Sequence, residues 1–246
     1  NAFAESALTF FMNNLFFQPS SQVYTTGSFT LQGRSVNVFV QYEDGLINLN
    51  RANVTLLSAA FAAQGIASNN ARNLGNAIVD WRDQDTATNE GGAESPEYNA
   101  VGLDYVPPNG AFESVGEVAS VLGMTEEIFF CSYPLFSVSS RAASVNLQYA
   151  NTQVRSVLQW AYDNNWDGVI WQNPSDAAFP GEDIAGAGGL LGNQALEVRL
   201  MFISAGRLKE YQVKLRYKST ADASYVRLSP LRLRVEDPKL TDCIYG

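Results

Sequence analysis

Two regions of period-two alternation lie near opposite ends of the chain, and the long stretch between them has a different texture. In the first region Val36, Val38 and Val40 share one side of Ser35–Tyr42, after a Thr-, Val-, Tyr- and Phe-containing segment at Gln22–Leu31. The second comprises Leu196–Ile203, Glu210–Tyr217 and Tyr225–Val235, where Leu231, Leu233 and Val235 alternate with Arg232 and Arg234. A period of two is the pattern of a strand with one buried face. Gly33 and Asp44-Gly45 mark turns, and Pro230 suits an edge or a bulge.

The intervening texture is helical. Val54–Gly65 is rich in Ala and Leu, Ala71–Trp81 continues that style, and Glu113–Leu122 is closed by Gly123. Thr125 is an N-cap for Thr125–Phe130, whose first turn is acidic, and Asn151–Asn164 reads as a further helix. Asp83–Asn109 and Pro174–Gly192 read as loops. At the start, Phe3, Ala7, Phe10, Phe11 and Leu15 recur at helical spacing in Ala2–Gln18, and Pro19 stops the helix. The order helix, strands, helical block, strands describes an α+β host with an all-helical domain inserted between strands of one antiparallel sheet. The expected division is 1–45 as the first part of the host, 46–144 as the insert with its acidic loop, and 145–246 as the second part of the host.

Composition removes several chemistries. The chain has no histidine, which excludes Ser-His-Asp and Cys-His catalysis and His-ligated zinc. Two cysteines cannot make a four-sulfur metal site. With 16 Lys+Arg against 25 Asp+Glu the net charge is −9, unlike a protein that grips phosphates through a basic patch. The charge is unevenly spread. Asp80 to Glu127 holds eleven acids and one base, whereas Glu197 to Lys239 holds ten bases and five acids.

The acid-rich loop is the best chemical site. Asp83, Asp85 and Glu94 are the foremost candidate ligands, followed by Glu90, Glu97 and Asp104. Carboxylates on an irregular, Gly-containing loop suit Ca²⁺, which takes six to eight oxygen ligands. Asp83 and Asp85 open like an EF-hand, but its sixth position is Thr88, not Gly, so a nonstandard calcium loop is expected. The plainer alternative is a solvated loop in which Asp80 or Asp83 caps backbone groups. Trp81, Trp160, Trp166 and Trp171 are candidates for a sugar site or for core packing. Leu57–Trp81 resembles a helix-hairpin-helix, a unit that often holds DNA phosphates, but only Arg72 and Arg82 are nearby. Cys131 and Cys243 pair in an oxidising compartment and are buried thiols in the cytosol; few lysines and abundant Asn, Ser and Thr resemble exported proteins and favour the pair. The helix surface formed by Phe3, Leu8, Phe10, Phe11, Leu15 and Phe16 is wider than one stripe, which suits both the chain's own sheet and a partner.

An internal echo precedes two of the helices. Ile47-Asn48-Leu49-Asn50-Arg51-Ala52-Asn53 is repeated as Val145-Asn146-Leu147-Gln148-Tyr149-Ala150-Asn151, with Asn53 and Asn151 as N-caps. The copies are expected to mark the way into and out of the insert. Further motifs follow the first copy: Asp80-Trp81-Arg82-Asp83-Gln84-Asp85, Gly92-Ala93-Glu94 with Tyr98, Phe112–Val118, and Gly123-Met124-Thr125. Together they resemble the K component of the bacterial type II secretion system, a large minor pseudopilin, with Arg51 where that family usually has Thr.

The resemblance implies a pilin-like host, calcium in the insert, and no catalysis. It implies a role at the tip of a periplasmic pseudopilus with the I and J pseudopilins as partners, and it allows contacts with the secreted substrate or the outer-membrane secretin. It also implies an inner-membrane anchor of a Gram-negative bacterium, an N-terminal helix lying ahead of Asn1. The alternatives are a helix-hairpin-helix DNA-binding protein and a periplasmic calcium-dependent carbohydrate-binding protein.

Overall fold

The computed structural model describes residues 2–16, 25–147, 149–166, 194–219, 224–233 and 243. The chain forms two units, Asn1–Glu43 with Asp183–Asp237, and Asp44–Glu182 with Pro238–Gly246.

The first unit is built on the alternating segments. Helix α1 (Ala2–Phe11), extended by a π-helical turn at Met12–Phe16, precedes β1 (Thr26–Leu31) and β2 (Arg34–Tyr42). Gln32 and Gly33 both have positive φ, as a tight two-residue hairpin requires. Strands β5 (Ala195–Ser204) and β6 (Arg207–Ser219) form a second hairpin around Ala205 and Gly206, also at positive φ. These are followed by β7 (Ser224–Arg227) and β8 (Arg232–Leu233). All pairings among these strands are antiparallel, in the order β1-β2-β5-β6-β7, with β8 also on β6. Strands predicted from both ends of the chain therefore share one sheet.

Alternation sets the core of this unit. Val36, Val38, Val40 and Tyr42 lie opposite Phe202, Leu200, Val198 and Leu196, and all eight are buried. Val213, Leu215 and Tyr217 extend that buried set across β6. Ala4, Ala7, Leu8 and Phe11 of α1 are buried too.

The second unit carries a two-stranded parallel piece, β3 (Ile47–Asn48) on β4 (Phe136–Ser137). Its α-helices among the described residues are α2 (Val54–Ala62), α3 (Ser68–Arg82), α4 (Ser95–Ala100), α5 (Glu126–Ser132) and α6 (Thr152–Asp163). The predicted caps are present: Asn53, Thr125 and Asn151 accept hydrogen bonds from the N–H groups of Leu56, Ile128 and Val154 at 2.8, 3.2 and 2.8 Å. The expected helix over 113–122 is instead a short 3₁₀ segment at Val115–Ser120. One apolar core joins Leu57, Phe61, Ile78, Trp81, Leu135, Val154, Val157 and Leu158.

The expected boundary at 144/145 differs from this division. Helix α6 packs Val154, Val157 and Leu158 into the helical core, so the residues after 144 continue the second unit. The second copy of the echo is therefore not the way out of the insert. It lies beside the first: the Asn146 N–H donates to the Asp44 carbonyl at 2.8 Å, and a Cβ on Gly45 would stand 2.0 Å from the Tyr149 carbonyl oxygen. The predicted loop at Pro174–Gly192 lies outside the described residues.

Cys131 and Cys243 form a disulfide across a sequence separation of 112. Closing so long a loop restricts the unfolded chain. Replacing both cysteines with Ser is expected to remove about 4 kcal/mol of stability, or roughly 10 °C in melting temperature. Calorimetry of the double variant beside the parent chain checks this.

Candidate metal centre

Helix α3 ends at Arg82, and Asp83 follows in extended backbone, with its N–H still donating to the Val79 carbonyl at 3.0 Å. The chain then turns at Asp85, whose Oδ1 accepts the Ala87 N–H at 2.9 Å and whose carbonyl accepts the Asn109 side chain. Glu94 is the N-cap residue of α4. Its N–H donates to Glu97 Oε2 at 2.8 Å, which fixes the backbone and leaves the Glu94 carboxylate free to turn inward.

These elements bring together the three foremost candidate ligands. One carboxylate oxygen from each of Asp83, Asp85 and Glu94 lies within 4.8 Å of the others. Glu90, Glu97 and Asp104 are not in this group. Glu97 is taken up by the α4 cap and by Thr88, whose hydroxyl lies 3.3 Å from it. Glu90 and Asp104 are exposed.

Asp80 does the work that the plainer reading gave to Asp80 or Asp83. It is fully buried and accepts the Ala93 N–H at 2.7 Å, the Asn89 N–H at 3.3 Å and the Asn89 side-chain amide. Asp80 therefore folds the loop back onto α3. Gly92 permits this approach, since a Cβ there would stand 2.0 Å from Asp80 Oδ2. The Gly91-Gly92 pair downstream of a carboxylate at a helix end is the sequence signal for this anchor.

The electrostatics of the trio are unresolved without a cation. Glu94 has no solvent exposure, and neither of its carboxylate oxygens receives a hydrogen bond in good geometry; Asp83 Oδ1 is likewise buried and unpartnered. Burial, then repulsion from Asp85 and Asp80, raises the Asp83 carboxyl above its ordinary range. Burial, then Asp80 and Asp83, raises Glu94, although the nearby Asn109 amide acts in the opposite direction. An unpaired buried carboxylate is costly. A hard divalent cation would satisfy the three oxygens at once, and Ca²⁺ accepts such carboxylates with backbone carbonyls and water completing its shell.

Other candidate sites are occupied internally. Leu8, Phe11 and Phe16 are buried within the sheet unit, so they do not face a partner. Phe3 packs on Phe202 with ring centroids 4.7 Å apart, and Phe10 stacks on Phe29 at 5.1 Å. The side chain of Leu15 lies outside the described residues. The broad apolar surface of α1 is thus largely matched by its own unit. Of the hairpin arginines, Arg72 lies 4.7 Å from the Trp166 ring and Arg82 donates to the Leu49 and Ala52 carbonyls, leaving neither for phosphate. Trp81 stacks on Phe112 in the core and Trp166 is buried, which removes them from a sugar-binding surface; Trp171 is outside the described residues.

An N-terminal helix on an antiparallel sheet, interrupted between β2 and β5 by a helical unit, defines a pilin-like protein with a large insert. Residues 36–138 match the family model described as "Type II secretion system (T2SS), protein K". The resemblance carried by the motifs within residues 46–151 agrees with this match. The whole chain is similar to one in the crystal structure of the GspK-GspI-GspJ complex from the type 2 secretion system of enterotoxigenic Escherichia coli. The TM-score is 0.67 at 14% identity, covering 96% of this chain and 95% of that one. At this identity the likeness establishes the fold. No curated protein matches the sequence significantly.

Calcium is expected to add RT ln(1 + [Ca²⁺]/Kd) to the stability, about 2.7 kcal/mol at a hundredfold excess over Kd, and so to raise the melting temperature. Asp83→Asn and Glu94→Gln are each expected to abolish that rise. The raised carboxyls give the metal-free protein a definite pH response. The folded state holds protons that the unfolded state has released, so stability increases as pH falls from neutral toward the ordinary carboxylate range. Melting curves with chelator and with calcium across pH 5–7 test both expectations. Gly92→Ala should weaken the calcium response without touching a ligand, because it displaces Asp80; the same titration checks it.

Proposed function

We propose that this protein caps the tip of a periplasmic pseudopilus, assembles there with the I and J minor pseudopilins, and catalyses no reaction. The observation that carries the reading is the placement of a complete helical unit between β2 and β5, strands that are hydrogen-bonded neighbours. A subunit of that kind has bulk that a plain pilin lacks, and this bulk stops the addition of a further subunit above it. The likeness to a chain of the GspK-GspI-GspJ complex supports I- and J-type partners. The family of residues 36–138 supports a place in protein transport. An anchor helix in the inner membrane ahead of the first residue, with this chain in the periplasm, completes the reading.

In this reading Asp83, Asp85 and Glu94 hold a structural calcium ion. The ion joins the end of α3 to the start of α4 and fixes the acidic loop. The physical work is packing and shape, in keeping with acids that converge on one loop rather than face each other across a cleft.

Mixing this chain with the soluble domains of the I and J proteins of the same system at micromolar concentration is expected to give a single early-eluting species on a sizing column. Separate elution of all three would overturn the assignment of partners. In cells that lack this protein, pseudopili longer than normal are expected; unchanged length would count against tip capping.

A further inference from the structure

We propose that the β5–β6 hairpin tip of the sheet unit rests on an anionic bilayer surface before assembly. The inference rests on the membrane-anchored reading above, and the geometry that carries it lies within one unit. Val36 pairs with Phe202, so the β1–β2 turn at Gln32-Gly33 and the β5–β6 turn at Ala205-Gly206 lie at the same end of the sheet. The beginning of α1 lies at that end too, because Phe3 packs on Phe202 and Arg34 lies 4.7 Å over the Phe3 ring. A membrane anchor continuing α1 backward would leave from this end.

This end has the chemistry of a surface that meets lipid headgroups. Ile203 and Leu208 are directly opposite each other across the hairpin and are 64% and 58% exposed, the former the most exposed large apolar side chain among the described residues. Arg207 and Lys209 flank Leu208, and among the described residues neither forms an ion pair. Two acids of this unit are already matched: Glu5 with Arg227 at 2.6 Å and Glu210 with Arg199 at 3.8 Å. The tip thus carries the exposed Ile203–Leu208 pair on one face and, on the other, two bases that form no ion pair among the described residues, in a chain whose net charge is −9. Basic residues beside shallow apolar side chains favour an interface with anionic lipid.

The test uses the chain as it stands, with vesicles of phosphatidylcholine alone or with phosphatidylglycerol, at millimolar lipid and low salt. Co-sedimentation is expected with the anionic vesicles, several-fold above neutral ones, and should fall as salt is raised. Arg207→Gln with Lys209→Gln should lower the partition about thirtyfold, from about 1 kcal/mol for each base. Ile203→Ser with Leu208→Ser should lower it as well, and melting temperatures establish that both variants are folded. Equal binding to both kinds of vesicle, or undiminished binding by the folded charge variant, would overturn the proposal. Loss of I and J association in these variants without any vesicle binding would instead make the tip a protein-docking surface, and would also overturn it. If the parent chain joins I and J yet ignores anionic vesicles, only this inference falls; if it joins neither partner, the tip-capping reading falls first.

Discussion

The pairing of β2 with β5 is the constraint on which the rest of the structure depends. Tyr42 ends one strand and lies opposite Leu196, at the start of its neighbour, with the helical unit between them in sequence. The entropic cost of closing such a loop grows only slowly with its length, by about 0.6 kcal/mol for each doubling. Four buried pairs along these strands, Val36–Phe202 to Tyr42–Leu196, readily offset the extra length. The requirement passed to the intervening chain is stricter. It cannot borrow the sheet's apolar face, which α1 already covers with Ala4, Ala7, Leu8 and Phe11, so it must bury its own. Leu57, Phe61, Ile78 and Trp81 meet Leu135, Val154 and Val157 in a core of that kind. The Cys131–Cys243 bridge then returns the last residues to this same unit.

Within the helical unit, carboxylates of similar chemistry are given different tasks by their donors. Asp80 is buried and accepts the N–H groups of Asn89 and Ala93, so it organises the loop. Glu97 satisfies the start of α4 from a partly exposed position, and the Glu94 N–H holds its carboxyl below the ordinary range. Asp83 and Glu94 have buried oxygens with no donor, and their pKa values move the other way. The candidate cation site that we propose is what remains once the loop has met its own structural needs.

Much of this was legible because it depends on short-range physics. Alternation at Val36, Val38 and Val40 depends only on the pleat, and the caps at Asn53, Thr125 and Asn151 reach only three residues ahead. Asp83, Asp85 and Glu94 stand out because carboxylate density on a Gly-containing loop is visible in sequence. What escaped depends on long-range context. Helix α4 is six residues long and sits inside a segment that reads as loop, held by the bond from the Glu94 N–H to the Glu97 carboxylate, with Pro96 in its first turn. Asp80 looks like any acid of its motif until Gly92 brings backbone against it. The phenylalanines of α1 pointed outward as readily as inward in the sequence, and Phe29 and Phe202 decided the matter.

The internal echo acquires a physical meaning that residue identities alone conceal. In the first copy Arg82 donates to the carbonyls of Leu49 and Ala52; in the second, Arg155 donates to those of Leu147 and Ala150, the matching positions. Each turn thus offers two backbone oxygens to one guanidinium, whose planar fork suits paired acceptors. Because the acceptors are backbone, Arg51 in the first copy and Tyr149 in the second are equally compatible with the device. The first arginine is half-buried among these carbonyls, and burial lowers its pKa below the free value. It also immediately precedes Asp83, so the bonds that fix the first turn also fix where α3 ends and where the first carboxylate of the trio is presented. The motif at 47–53 and the acidic loop are therefore one arrangement, joined through Arg82, and a hairpin whose arginine is committed in this way has no cation to offer a nucleic acid.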